Sequence, residues 1–469
     1  MVDDMLGFLE GIRAEPAWRP MPREVVEELS RPAPVEGEGA EAAYADFRRL
    51  VLPYRMGNVH PRFWGRVMGT GTPFGMLAEM LTAGMNTNVS GLHSAASHVE
   101  AQVLSWFKPV MGMPPEASGV LVSGCSAANL VGLTVARDEK GRRVGVDVYR
   151  QGVQALPGRP TLYTSEDAHN SVDRAAMLLG LGVDAVRKVP MDAAFRVRAD
   201  VLERMVEEDR AKGLLPLCVV GNAGTAATGA IDDLSALADV AARQGLWFHV
   251  DGAFGAWAGL SPALRGRVAG IERADSVAFD LHKWMYVPYD VGCVLVRDAA
   301  AHRRAMSATQ AGYIAQAPRG IESDPFRFNE LGPQLSRNFR ALKVWLSVKE
   351  HGLAAYARQI EQNVAQAALL AALAEGHPEL ELLSPAALNV VCLRYNDGRL
   401  DEAALDRVNA EVLMRLHERG VAVPTTGKVR GKRALRFAIV NHRSRREDFV
   451  ATAEAVVALG RELVAEQAP

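Results

Sequence analysis

LWFHVDGAFG (246–255) and DSVAFDLHKW (275–284) decide the reading of this chain. Each opens as a short apolar run with the length of a fully buried strand, and each run ends in a polar residue. Asp251 closes the first run, and Lys283 lies just past the second, thirty-two positions later. Lysine is normally solvated, so one flanked by His282 and Trp284 at a strand end stands out. The same pattern recurs along the chain in GVLVSG (119–124), PTLYTSE (160–166), LPLCVVGNAGT (215–225) and VGCVLVRD (291–298), with helical periodicity between most of them. Apolar strands separated by helical segments predict an α/β fold with a mostly parallel sheet covered on both faces. Ligands in such sheets sit beyond the carboxyl ends of the strands, so the polar residues found there are the candidates for chemistry.

The remainder of the chain frames this sheet. Its 469 residues exceed one compact core. Residues 1–59 hold several prolines and few apolar positions, which predicts an arm rather than a domain. Residues 60–345 carry the strand–helix alternation of a large ligand-binding domain. After 346 the pattern becomes a long Ala-rich helix, LNVVCLRY, a helix ending near Gly420, VAVPTT, a GKVRGK turn, ALRFAIV and a last helix, which predicts a small α+β C-terminal domain over 346–469. A net charge of −2 with 23% charged residues gives no basic excess for nucleic acid or an anionic membrane surface. Cys125, Cys218, Cys293 and Cys392 are far apart with no C-x-x-C pair, which argues against a disulfide framework or a zinc site and for a reducing cytoplasm. The start lacks the basic and apolar segments of a signal peptide, and no uninterrupted apolar run reaches membrane-spanning length.

The strand ends suggest one chemistry when taken together. A partly buried lysine amine with a depressed pKa can attack an aldehyde. Pyridoxal 5′-phosphate (PLP) supplies that aldehyde, and its ring nitrogen needs a carboxylate partner to stay protonated. Asp251 can provide one. GCSAAN (124–129) lies between a strand and a helix, where the amides of Cys125 and Ser126 and the Ser126 hydroxyl can meet a phosphate at a helix N-terminus. His169, in SEDAHNSVDRAA, can stack on a flat ring and carry a proton. Thr225, in NAGTAATGAIDD, can reach the cofactor from a loop of small residues. Each of the last three alone reads as well as an ordinary turn or helix start; the combination with Lys283 and Asp251 is what points to a cofactor site.

AHNSVDRA, GNAGTAATGAID, HVDGAFGA and HKW, in this order and spacing, resemble the group II PLP-dependent amino-acid decarboxylases, which include aromatic-L-amino-acid, histidine and glutamate decarboxylases. HPRFWG (60–65), MLAEMLTAGMNTN (76–88) and LRFAIVNHR (435–443) extend the resemblance from about Asn58 to the C-terminal helix. The resemblance implies the aspartate aminotransferase-like fold (fold type I) and a homodimer with active sites at the subunit interface, the N-terminal arm packing on the partner. It implies that Lys283 is the Schiff-base lysine, Asp251 the partner of the pyridine nitrogen and His169 the stacked histidine. It places Cys125, Ser126, Thr225 and His282 among the cofactor-binding residues.

Two positions depart from better-known members. Asp280 stands where many have asparagine, close to the expected phosphate, and can instead bind backbone amides. Phe328 falls at about the place of a catalytic loop tyrosine, with Tyr313 or His302 as possible substitutes. Loss of that hydroxyl favours an alternative outcome, oxidative decarboxylation-deamination to an aldehyde. The implied reaction is decarboxylation of an L-amino acid to its amine. Phe63, Trp64 and Met68 in the expected side-chain pocket favour an aromatic substrate, whereas Arg66 could hold the second carboxylate of glutamate or aspartate. His93, Ser94 and Phe328 complete the expected substrate contacts.

Overall fold

The computed structural model describes residues 1–307 and 317–466. It divides into two compact units, 71–365 and 1–70 together with 366–469. These boundaries differ from those expected at 59/60 and 345/346. The N-terminal stretch is not wholly a free arm: Arg13 donates to Asp448 at 3.0 Å and to the Arg443 carbonyl at 2.6 Å, and the Ala17 amide donates to Gly420 at 3.1 Å.

The larger unit is built on seven strands: β1 (Ser118–Val122), β2 (Pro160–Ser165), β3 (Val186–Val189), β4 (Leu215–Asn222), β5 (Trp247–Asp251), β6 (Ser276–Asp280) and β7 (Gly292–Val296). Their order is β1-β7-β6-β5-β4-β2-β3. β7 runs antiparallel to β1 and β6, and every other neighbouring pair is parallel. β5 and β6 are buried at every position, as expected for strands covered on both faces. Side chains alternate along β5. His249 and Asp251 turn toward the helix Cys125–Arg143, hydrogen-bonding its Asn129. Phe248 lies on the other face near Leu234 and Leu237 of the helix Leu234–Gln244. This register brings the polar ends of β5 and β6 beside the N-terminus of the helix that follows β1.

The smaller unit holds an antiparallel sheet of β8 (Leu380–Leu382), β9 (Val390–Tyr395), β10 (Thr425–Val429) and β11 (Lys432–Ala438), in the order β10-β11-β9-β8. β10 and β11 form a hairpin whose two turn residues, Arg430 and Gly431, both take positive φ (48° and 82°), the conformation of tight hairpin turns. Its core gathers Leu393, Tyr395, Leu435, Phe437, Phe449 and Val456 around Trp64. β3 and β8 are short strands that the sequence pattern did not single out. No described helix is long and apolar enough to cross a membrane.

Candidate active site

The centre of the site is Cys125, buried at the start of the helix Cys125–Arg143, which touches both acidic residues at the strand ends. The Cys125 amide donates to Asp280 Oδ1 at 2.6 Å, and its thiol donates to Asp251 Oδ1 at 3.4 Å. One helical turn on, Asn129 Nδ2 donates to Asp251 Oδ2 at 2.8 Å. The Ala253 amide adds a third donor to Asp251, at 3.2 Å on Oδ1. Asp251 is thus held by donors of fixed position, and its carboxylate retains lone pairs for one more.

Lys283 Nζ pairs with the other strand-end acid, lying 2.9 Å from Asp280 Oδ2. Burial pulls the amine downward, but the Asp280 carboxylate, its hydrogen bond and the field of Asp251 outweigh this and hold it above its ordinary value. Lys283 is therefore an ion-paired amine with a raised pKa, not the depressed amine expected from the sequence. The Asp280 carboxylate does bind a backbone amide, as one reading allowed. With the Cys125 N–H on one oxygen and the Lys283 ammonium on the other, its charge is compensated, which removes the objection to an anionic group nearby.

The glycines around this point leave room for close approach. A methyl at Gly292 would lie 2.5 Å from the Gly124 backbone and 2.9 Å from Asp280 Oδ1, and one at Gly124 would lie 3.3 Å from the His282 ring. Ser126 is exposed at the second position of the helix, where the helix dipole favours an anion. The Cys125 amide, expected to face a phosphate, is already engaged by Asp280. His282 accepts the Val291 amide on Nδ1 at 3.1 Å, and its ring packs on Tyr289 with centroids 4.3 Å apart. Burial lowers its pKa, against the pull of the Asp280 carboxylate.

His169 stands at the start of the helix Ser171–Leu178 with its ring exposed. It feels the charges of Asp251, Lys283 and Asp280, so it belongs to the same cluster; desolvation by the surrounding protein sets the direction of its shift, which is downward. Its Nδ1 lies 2.9 Å from Ser171 Oγ. Thr225 is buried in its loop, its hydroxyl 3.2 Å from that of Thr228. A carboxylate to pair with the ring nitrogen, an amine, a small-residue approach and an exposed imidazole are fittings that suit PLP, and the larger unit holds one of each.

The expected substrate residues fall in both units. Trp64 is 1% exposed, donates to Ser444 Oγ at 2.9 Å and stacks on Phe449, so it is a core residue of the smaller unit rather than part of a pocket wall. Arg66 is exposed and Met68 packs beside Ala17, Phe63 and Val423. In the larger unit His93 is exposed, with its Nε2 3.1 Å from His98 Nε2. Phe328, expected on a mobile loop, is buried in the short turn Phe328–Glu330, stacked on Phe326 and lying 5.5 Å from the guanidinium of Arg337. Arg337 is itself buried and paired with Glu100. Tyr313 lies outside the described residues. His302 is buried, held between Ser118 Oγ and the Leu331 carbonyl at 2.9 Å each, and burial pushes its pKa down to about 4.

Reading the sequence missed Asn129, Ser171 and His249. A signal was there: Asn129 is four residues after Cys125 on one helix, and His249 two residues before Asp251 on one strand, so each shares a face with an assigned residue.

Residues 22–396 match the family model described as the pyridoxal-dependent decarboxylase conserved domain. The chain is 32% identical over 466 residues to an aromatic-L-amino-acid decarboxylase of Bacillus atrophaeus, covering 98% of this chain and 94% of that protein. It is 27% identical to a phenylacetaldehyde synthase of Petunia hybrida over 94% of this chain and 88% of that one. The solved structure of Oryza sativa TDC with PLP and tryptamine superposes with a TM-score of 0.91 at 25% identity, covering 98% of this chain and 96% of that chain.

Proposed function

From the premise that this chain belongs to the pyridoxal-dependent decarboxylase family, we propose that it removes the α-carboxylate of an aromatic L-amino acid and releases the amine and carbon dioxide. The observation that carries this reading is the convergence on Cys125 of the two strand-end acids, one of which holds Lys283. The aromatic preference draws on the relatives named above and on no residue of a defined pocket.

PLP, the cofactor of the family, supplies the electron sink that accepts the bonding pair when carbon dioxide leaves. The chain does the rest. Asp251 keeps a proton on the ring nitrogen, and its three donors fix the angle at which it does so. Lys283 provides the amine that holds the cofactor. Asp280, at 2.9 Å, is placed to keep the proton which that amine must give up. His169, on the exposed side of the cluster, is placed to carry a proton to and from the substrate carbon. Gly124 and Gly292 leave the turn room to approach the ring.

Dimerisation fits the same reading. The helices Val2–Gly11, Arg23–Leu29 and Ala40–Asp46 bury no residue within the chain. Val26 is 47% exposed, and in the larger unit Met80 and Met85 are more than half exposed, as surfaces awaiting a second copy would be. Four free cysteines fit a cytoplasmic setting.

The test is a panel of L-amino acids on the purified holoenzyme, reading carbon dioxide, amine and hydrogen peroxide. Amine and carbon dioxide in equal amounts support decarboxylation. Phe328 keeps a second reading open: it has no hydroxyl, and Phe326 and Arg337 hold it in place. In that reading one oxygen and one water are consumed per substrate, giving aldehyde, carbon dioxide, ammonia and hydrogen peroxide. Peroxide without amine would replace the first reading with this one.

A further inference from the structure

Behind the cofactor site runs a chain of hydrogen bonds whose directions can be assigned. Trp247 Nε1 donates to Ser276 Oγ at 2.8 Å, and Ser276 Oγ lies 2.7 Å from His249 Nδ1. His249 Nε2 lies 2.9 Å from Asn129 Oδ1. Asn129 Nδ2 reaches both Asp251 Oδ2 at 2.8 Å and Ser171 Oγ at 3.0 Å. Ser171 Oγ lies 2.9 Å from His169 Nδ1.

A carboxylate only accepts, so the Asn129 amide must turn its nitrogen toward Asp251 and its oxygen toward His249. His249 then carries its proton on Nε2. Burial pushes its pKa down to about 4, so it is neutral and Nδ1 is left to accept the Ser276 hydroxyl. At the other end, Asn129 gives its second N–H to Ser171 Oγ. The Ser171 hydroxyl then has its own proton to give to His169 Nδ1. The Ser171 amide also donates to that nitrogen, at 3.2 Å. Two donors aimed at one nitrogen leave it without a hydrogen, so the His169 proton sits on Nε2, away from the helix.

We propose that Asn129 and Ser171 are positioning residues that hold His169 in the Nε2–H tautomer and couple it to Asp251, the carboxylate that grips the ring nitrogen. This rests on the reading that His169 serves the cofactor, but its test does not. Asn129 is the branch point: one amide group sets both the carboxylate beneath the ring and, through a single hydroxyl, the imidazole beside it. A structural role alone would ask only that the helix Cys125–Arg143 pack against β5.

The test is nitrogen-15 NMR of labelled histidine side chains in the full-length protein without cofactor, at mildly alkaline pH. The His169 signals are identified by their loss in His169→Gln. Expected are a hydrogen-free Nδ1 and a protonated Nε2 in the unmutated protein, nitrogens shifted part-way toward averaging in Ser171→Ala and in Asn129→Ala, where the Ser171 amide remains as the one donor of fixed direction, and the original pattern in Ser171→Thr, which keeps the hydroxyl. In the holoenzyme kcat should fall by at least about tenfold in Ser171→Ala with KM unchanged, and recover in Ser171→Thr. Should Asn129→Ala not fold, Ser171→Ala and Ser171→Thr decide the matter. A proton on Nδ1 in the unmutated protein, or a tautomer that Ser171→Ala leaves unaltered, overturns the inference. The spectra need neither substrate nor cofactor, so a chain that decarboxylates nothing would leave the tautomer result untouched.

Discussion

Lys283 Nζ lies 2.9 Å from Asp280 Oδ2, while the other oxygen of that carboxylate accepts the Cys125 amide at 2.6 Å. One acid therefore ties the Lys283 amine to the start of the helix Cys125–Arg143. It also raises the amine's pKa against the opposing effect of burial. An ammonium cannot attack an aldehyde, so on the function proposed above this pair sets how readily the cofactor is taken up.

Asp280→Asn keeps an oxygen for the Cys125 amide and removes the charge. The amine pKa should drop, because the interaction favouring its protonated form is gone. The pH at which cofactor-free protein captures PLP at half its maximal rate should move down by roughly one to three units. Stopped-flow absorbance across a pH series measures it; an unmoved midpoint would show that Asp280 does not govern the amine.

Asp251→Asn keeps the side-chain shape but cannot hold a proton on the ring nitrogen. Turnover should fall by at least about a hundredfold with PLP still bound. Decarboxylation rates of the reconstituted variant check this, and near-normal turnover would remove Asp251 from its role.

Gly292→Ala would place a methyl 2.5 Å from the Gly124 backbone, which has no flexible end to give way. The strand or the turn must shift, costing about 1–3 kcal/mol of stability, and PLP affinity should fall at least tenfold. Gly266→Ala, whose new methyl meets nothing within 4 Å, is the control and should alter neither. Urea unfolding and PLP titration measure the two effects.

Much of this site is legible in the sequence, and the boundary of what is legible has physical causes. β5 and β6 announce themselves because a strand covered on both faces must be apolar throughout, so Asp251 and Lys283 stand out at their ends. Asp280 could not be placed with the same ease, since its partner amide is 155 residues away. Trp64 misled because an aromatic side chain serves a pocket wall or a core equally well, and only Ser444 and Phe449 settle which. Phe328 misled because its anchor, the buried Arg337 paired with Glu100, is itself a distant contact. The N-terminal stretch read as an arm because the partner of Arg13, Asp448, lies at the other end of the chain.

Acid should weaken the fold through its buried histidines. His249 and His302 have folded-state pKa values of about 4 against an ordinary 6.5. Above 6.5 both are neutral whether folded or unfolded. Below it the unfolded chain binds protons that the folded chain refuses, so stability is lost as pH falls from 6.5 toward 4. A shift of this size is worth about 3 kcal/mol for each histidine. Urea midpoints should decline through this window, and less steeply in His302→Gln; a flat profile would mean that these rings are charged in the folded protein.

Borohydride reduction of the holoenzyme, followed by proteolysis and mass spectrometry, tests the central claim most directly, because it fixes the cofactor to whichever amine holds it. The pyridoxyl group should be found on the peptide containing Lys283. Its recovery on a different lysine, or on none, would contradict the account.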